Sequence, residues 1–265
     1  MIFALFSVAI AAAFFVGSLI LLNYGRHLGL RYLQQKGASG MTGLATVEGA
    51  VFALIGLLLA FTISGALQRF DERRQLVIQE ANAVSTAYDR LALFEGDVAR
   101  ALQSKLKDYV HARIDLYRVP PGFALWQRAE VFSHEQQDKI SELKTNVWGA
   151  AVAACPQDSF RPACSMSLPV LANLFEVARL RAGASEKHPP HIVYVMLFGL
   201  GLGSSLLAGF GMAAAKARSG IHMVIFVGTL TVTLYTVTDM EFPRHGLIRI
   251  DNFDHFLVEA YAQMQ

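Results

Sequence analysis

The chain has 265 residues, 54% of them hydrophobic and only 17% charged, with a formal net charge of +2. That composition is too apolar for an ordinary water-soluble domain, and without a dense Lys/Arg cluster interleaved with aromatics it gives a nucleic-acid partner no electrostatic footprint. The apolar residues gather in four long runs, so the sequence reads as an all-α polytopic membrane protein, four transmembrane helices with an inserted extramembrane helical bundle.

The first run, MIFALFSVAIAAAFFVGSLILL, lacks the basic start and cleavage site of a secretory signal and is expected to remain as span one. NYGRHLGLRYLQQKGASG follows as a loop, with Arg26, Arg31 and Lys36 and no acid. In the second run, 20 uncharged residues separate Glu48 from Arg69. At ~1.5 Å per residue they cross the ~30 Å hydrocarbon layer. Its later half carries Ala60, Thr62, Ser64, Gly65 and Ala66, small side chains that suit close helix approach or a lumen.

Beyond Gln68 the pattern stays helical. Val77, Ala81, Val84, Tyr88 and Leu91 alternate spacings of four and three, a bundle seam that continues the second span. Gly96 punctuates it. Val98, Leu102, Leu106, Tyr109, Val110, Ile114 and Tyr117 mark the next helix, stopped by Pro120-Pro121-Gly122. A third helix is expected from a Ser133 cap with Gln136 as its capping-box partner, running through Ile140, Leu143, Val147, Trp148 and Ala151. A fourth is expected near Ser167, with Pro169 in its first turn and Gly183 at its end.

Pro189-Pro190 open the third span, HIVYVMLFGLGLGSSLLAGFGMAAA; KARSG connects it to the fourth, uncharged from Ile221 until Asp239. The tail EFPRHGLIRIDNFDHFLVEAYAQMQ is amphipathic, with Asp251 or Asn252 as its expected helix cap. The domains are therefore residues 1–67 (spans one and two), 68–190 (extramembrane helices), 191–240 (spans three and four) and 241–265 (the tail).

Basic residues in short loops orient the spans. The two short loops hold Arg26, Arg31, Lys36, Lys216 and Arg218 without an acid, whereas residues 68–190 hold 16 basic and 15 acidic residues and show no bias. The short loops are accordingly expected in the cytoplasm, with both termini and residues 68–190 extracytoplasmic. Cys155 and Cys164, the only cysteines, lie in that long segment. A bridge between them would add roughly 2–3 kcal/mol by loop closure and would persist in an oxidising compartment, in agreement with the charges; two unpaired thiols in a cytosolic domain are the alternative.

Candidate chemistry is sparse. Gly199-x-Gly201-x-Gly203 lies inside an uncharged run with no preceding strand, so Gly199 and Gly203 are read as small-xxx-small packing rather than a nucleotide loop. His188, His191, His245 and His255 lack metal-ligand spacing, so no metal is assigned. Two charged clusters flank the span exits: Arg69, Asp71, Glu72, Arg73 and Arg74 after the second, Asp239, Glu241, Arg244, Arg249 and Asp251 after the fourth. If they meet, they form an ion-pair network or a charged vestibule; otherwise they are solvated helix ends. Glu48 at the other end of span two is a candidate selectivity residue, although the helix dipole alone favours an acid there. No nucleophile context, zinc motif or Walker sequence is present, which argues against an enzyme, and no cofactor is implied.

The run LLLAFTISGALQRFDERRQLVIQEANAVSTAYDRL, the HPP before span three and MEFPRHGLIRIDNFD together resemble the bacterial bestrophin-like family of four-span membrane proteins, over nearly the whole chain. More distantly, an apolar second helix ending at Phe61, then Arg69-Phe70-x-Glu72-x-Arg74, resembles the pore helix of bestrophins, pentameric anion or cation channels. The resemblance implies a homo-oligomeric ion channel of the bacterial inner membrane, with Ala53, Leu57, Phe61 and Ser64 lining a dewetting neck. It also implies a cytoplasmic side for the region after the second helix, opposite to the loop charges of this chain; the charges are given the greater weight. A non-conducting membrane-anchored scaffold or sensor, with an extracytoplasmic helical interaction domain, is the alternative.

The loop charges predict that alkaline phosphatase fused at residue 140 is active in cells and that a green fluorescent protein fused there is dark. Fluorescence at that position would reverse the orientation.

Overall fold

The computed structural model describes residues 2–36, 44–118, 126–214, 220–243, 247–250 and 253–264. Among these residues regular structure is entirely helical. The α-helices are α1 (Ile2–Lys36), α2 (Leu44–Leu91), α3 (Gly96–Arg118), α4 (Trp126–Ala154), α5 (Arg161–Glu186), α6 (His191–Gly211), α7 (Gly220–Glu241) and α8 (His255–Ala262). The stretches in α1, α2, α6 and α7 are long and apolar enough to cross a membrane. Contacts divide the chain into one unit of residues 1–70 and 188–248 and another of residues 71–187 and 249–265, so α2 contributes to both.

In the first unit, α1, α6 and α7 pack on one another. Span one was expected to end near Leu22, yet α1 runs on to Lys36. Nothing in NYGRHLGLRYLQQK breaks a helix except two glycines, and these seat α1 against α6. A Cβ on Gly25 would collide with the carbonyl oxygen of Leu206, one on Gly29 would lie 3.3 Å from the carbonyl carbon of Phe210, and one on Gly209 would strike the carbonyl oxygen of Leu22. Gly201 lies under the Phe14 ring, which meets Phe198 edge-on at 5.5 Å. In a bilayer no water drives helices together, so such close backbone approach supplies the attraction. A Cβ at Gly199 or Gly203 would meet nothing within 4 Å, so the packed glycines of α6 are Gly201 and Gly209 instead. The hydroxyls of Thr62, Ser205, Thr231 and Thr238 each donate to a carbonyl four residues back, which satisfies them inside their own helices.

The second unit has a conventional apolar core. Val77, Ala81, Val84 and Leu91 of α2 are buried, as the seam predicted, and Phe94, Leu102, Leu106, Tyr109, Val147, Leu171 and Leu174 join them. Leu257, Ala260 and Met264 place the tail in the same core. Gly96, at φ 58°, turns the chain into α3, as expected of a residue without Cβ. Cys155 and Cys164 stand at disulfide distance, Cα atoms 5.8 Å apart, and join the end of α4 to the first turn of α5 across a 3-10 turn at Asp158–Phe160.

Several expected boundaries shift. α4 starts at Trp126, seven residues before the proposed Ser133 cap, because AEVFSHEQQ contains no breaker to delay it. α5 starts at Arg161 with Pro162 in its first turn; Pro169 lies inside the helix, and α5 passes Gly183 to end at Glu186. Ser167 is no cap. Its hydroxyl donates to the carbonyl of Arg90 at 2.9 Å, satisfying an orphan acceptor at the end of α2. Asp251 and Asn252 lie outside the described residues; the N-cap of α8 is Asp254, whose side chain makes no capping bond.

The glycine contacts separate two substitutions of equal size. Gly209→Ala is expected to lower the thermal stability of the detergent-solubilised protein by the equivalent of about 1–3 kcal/mol of overpacking, while Gly199→Ala leaves it unchanged.

Candidate functional site

On α2 the four neck candidates Ala53, Leu57, Phe61 and Ser64 are all exposed along one face, Leu57 at 52% and Phe61 at 67%. Phe52, on another face, meets Phe226 of α7 edge-on at 6.1 Å. α2 is thus held to the other spans by one side and leaves its neck face uncovered. Glu48 is half-buried, its carboxylate so close to Gly211 that a Cβ there would collide with it.

At the other end of the same unit the charges close on one another. Glu241 is wholly buried, and Arg69 clasps it: Nε donates to Oε1 at 2.9 Å and to Oε2 at 3.1 Å, and Nη2 donates to Oε1. His188 stacks on Phe242 at 4.8 Å, its Nδ1 4.0 Å from Glu241 Oε2. Asp239, also fully buried, accepts from the backbone amides of Leu247 (2.9 Å) and Ile248 (2.7 Å) and from the Tyr235 hydroxyl (3.1 Å). An unpaired carboxylate here would carry a severe desolvation penalty. Leu247 and Ile248 are therefore tied by their amides to Asp239, which gives the LI of MEFPRHGLI a structural reason.

The remaining candidates serve the second unit. Arg73 is buried and donates to the carbonyls of Ala184 (3.0 Å) and Lys187 (2.7 Å), capping the C-terminus of α5. Glu72 accepts from Lys187 at 3.1 Å, and Asp71 accepts from Arg74 at 3.1 Å. The Arg74 guanidinium lies 4.4 Å from the centre of the Phe253 ring. Arg249 is exposed, and Arg244 and Asp251 lie outside the described residues. Of the two charged clusters, Arg69 and Glu241 form a cross-cluster ion pair.

One network escaped the sequence reading. Glu80 is completely buried; Arg113 Nε donates to its Oε1 and Arg181 Nη1 to its Oε2, each at 2.7 Å. Arg181 also donates to Asp254 at 2.6 Å, and its guanidinium stacks 3.7 Å over the Tyr117 ring. Burial alone would push the Glu80 carboxyl up, but the two guanidiniums outweigh it and hold it below the ordinary carboxylate range. Burial opposes the charge on Arg113 too, yet Tyr117 and Glu80 keep it firmly protonated. Burial raises Tyr109 beside them. With each carboxylate oxygen of Glu80 bonded to a guanidinium, the group ties α2, α3, α5 and the tail together rather than offering a base. The available signal was Glu80 standing inside the Val77–Ala81–Val84 seam and Arg181 on the buried Val177–Ala178–Ala184 face of α5. Among the described residues no group of three or more His, Cys, Asp or Glu could hold a metal ion.

Glu80→Gln leaves two buried arginines short of a counter-charge and is expected to cost about 3–5 kcal/mol at neutral pH, measured by denaturant unfolding of the full chain. Since Glu80 titrates lower folded than unfolded, its pairing stabilises fully above the ordinary carboxylate value of 4.5 and is lost as pH falls through the folded value. The gap between variant and wild type should accordingly begin to narrow as pH falls below 4.5 and close once it passes the lower folded value.

A family model for the bestrophin-like domain matches residues 12–252. No curated protein matches the chain significantly. Among solved structures, a bacterial bestrophin homologue from Klebsiella pneumoniae superposes with a TM-score of 0.65 at 15% identity, over 94% of this chain and 97% of that one. A single-substitution variant of that homologue gives 0.71 at 13% identity, over 96% of each chain. At such identity the likeness establishes the fold; the family model, which spans most of the sequence, establishes that the chain belongs to the bestrophin-like family.

Proposed function

We propose that the protein is a homo-oligomeric ion channel in which copies of α2 surround a common axis and present Ala53, Leu57, Phe61 and Ser64 to it. The observation that carries this reading is the uncovered neck face. In its apolar 18-residue stretch the second span buries only 11% of the residues within the chain, against 22%, 28% and 22% for the corresponding stretches of the others. The span that the protomer covers least also presents small and hydroxyl side chains, Ala53, Ala60 and Ser64, on its exposed surface beside Leu57 and Phe61. Small residues let copies approach, and rings of Leu57 and Phe61 would form an apolar constriction that opens by wetting.

The fold shared with the Klebsiella bestrophin homologue supports an oligomer of that general plan, with a pentamer as the working stoichiometry. The inner membrane is the proposed location. Both termini and residues 68–190 are assigned outside the cytoplasm, on the strength of Arg26, Arg31 and Lys36 in the last third of α1, of Lys216 and Arg218 between spans three and four in the sequence, and of the paired cysteines. Glu48 would then stand at the cytoplasmic mouth. The acidic side chains of Asp71 and Glu72, exposed beyond the span, are candidates for a vestibule.

Purified protein in planar bilayers is expected to pass ionic current, and Phe61→Ala to raise unitary conductance by removing the widest apolar side chain of the constriction. A well-folded oligomer that stays silent, with Phe61→Ala also silent, would leave the non-conducting scaffold.

A further inference from the structure

One exposed face of α1 changes character along its length. Val16 (54% exposed), Ile20 (62%) and Tyr24 (55%) succeed each other at four-residue intervals. His27 and Arg31, both exposed, continue the same face three and four residues further on. The order aliphatic, aromatic, cationic is that of a bilayer from acyl chains through interface to headgroups. The length of the helix agrees. Its 35 residues span about 52 Å at ~1.5 Å per residue, well beyond the ~30 Å hydrocarbon layer. Its last third therefore stands at headgroup depth or past it.

This end of the unit is basic, with Glu48 beside Gly211 as its acid. Residues 1–47 and 188–238 contain no Asp or Glu. Among the described residues neither Arg26 nor Arg31 has a hydrogen-bond or ion-pair partner, in contrast to Arg69, which is committed to Glu241. The stretch is also fixed rather than frayed. Gly25 and Gly29 seat it on the last turns of α6, and Tyr32 meets Phe210 at 5.7 Å. In the sequence, Lys216 and Arg218 follow α6.

We infer that the C-terminal third of α1 is a docking surface for anionic phospholipid headgroups. Arg31 pairs with the lipid phosphate, His27 and Tyr24 flank it at the interface, and Val16 and Ile20 contact the acyl chains. A guanidinium suits this role because it presents several donors to a phosphate and remains charged at every accessible pH.

The test is electron paramagnetic resonance of the full-length protein in phosphatidylcholine vesicles carrying spin-labelled phosphatidylglycerol or spin-labelled phosphatidylcholine. The wild type is expected to immobilise the anionic label about fivefold more strongly than the neutral one, the effect of one basic residue at a membrane surface. Arg31→Gln should remove most of that preference and Arg31→Lys retain it, while Arg100→Gln, on a solvated face of α3, changes nothing. Excess inorganic phosphate should leave the immobilised fraction intact. Equal immobilisation of both labels by the wild type, or a preference that survives Arg31→Gln, would overturn the assignment; displacement by phosphate would replace it with a free-anion site. If Arg31→Gln does not fold, His27→Gln and a salt titration of the wild type decide, each expected to weaken the preference.

Discussion

An ionised side chain at the end of a membrane span has two places to put its charge, water or a counter-group, and burial removes the first. The structure meets this constraint at each deeply buried acid. Glu241 is clasped by Arg69, Asp239 gathers two backbone amides and a phenol, and Glu80 is held between two arginines. Removing one partner from such a pair is costly because the other is stranded in a low dielectric. Within the first unit these contacts consequently join Arg69 of α2 to Glu241 at the end of α7, and within the second they join α2 to α3 and α5. They also consume charges that would otherwise be free to select ions, which narrows the functional candidates to the exposed residues of α2.

The two units solve the same problem with different means. In the membrane unit the helices approach through glycines, Gly25, Gly29 and Gly209 lying against backbone, since packing and not water must provide the attraction. The other unit buries a conventional core and inserts one polar network into it, with Tyr117 stacked on Arg181 and the tail drawn in through Asp254. A polar network of that kind rewards one arrangement of α2, α3, α5 and the tail over its neighbours, because a slip of either arginine would leave a buried charge unsatisfied. α2 contributes residues to both units.

Much of this was legible in the residues. A run of 20 uncharged positions can be nothing but a span or a deeply buried helix, and the seam from Val77 to Leu91 announced that α2 continues beyond it. Arg69 and Glu241 stood at the two exits whose charges could either meet or remain solvated. Local punctuation misled more often. Ser133 and Pro169 resemble helix starts, yet α4 begins seven residues before the first, where nothing breaks a helix, and α5 runs through the second, since a proline inside a helix forfeits one hydrogen bond that its neighbours can offset. The glycines at 199 and 203 had the right spacing on the wrong face, a distinction that only the partner helix makes. The pairing of Glu80 was hidden for a different reason: its arginines lie 33 and 101 residues away in sequence, so no local pattern joins them.

The account rests on α2 being central to an assembly, with its uncovered face turned toward other copies of itself. Single-particle cryo-electron microscopy of the full-length protein in lipid nanodiscs addresses this directly. The account predicts a symmetric oligomer with Leu57 and Phe61 of every copy facing a continuous axial path. A monomer, or an oligomer in which those two side chains face lipid, would contradict it.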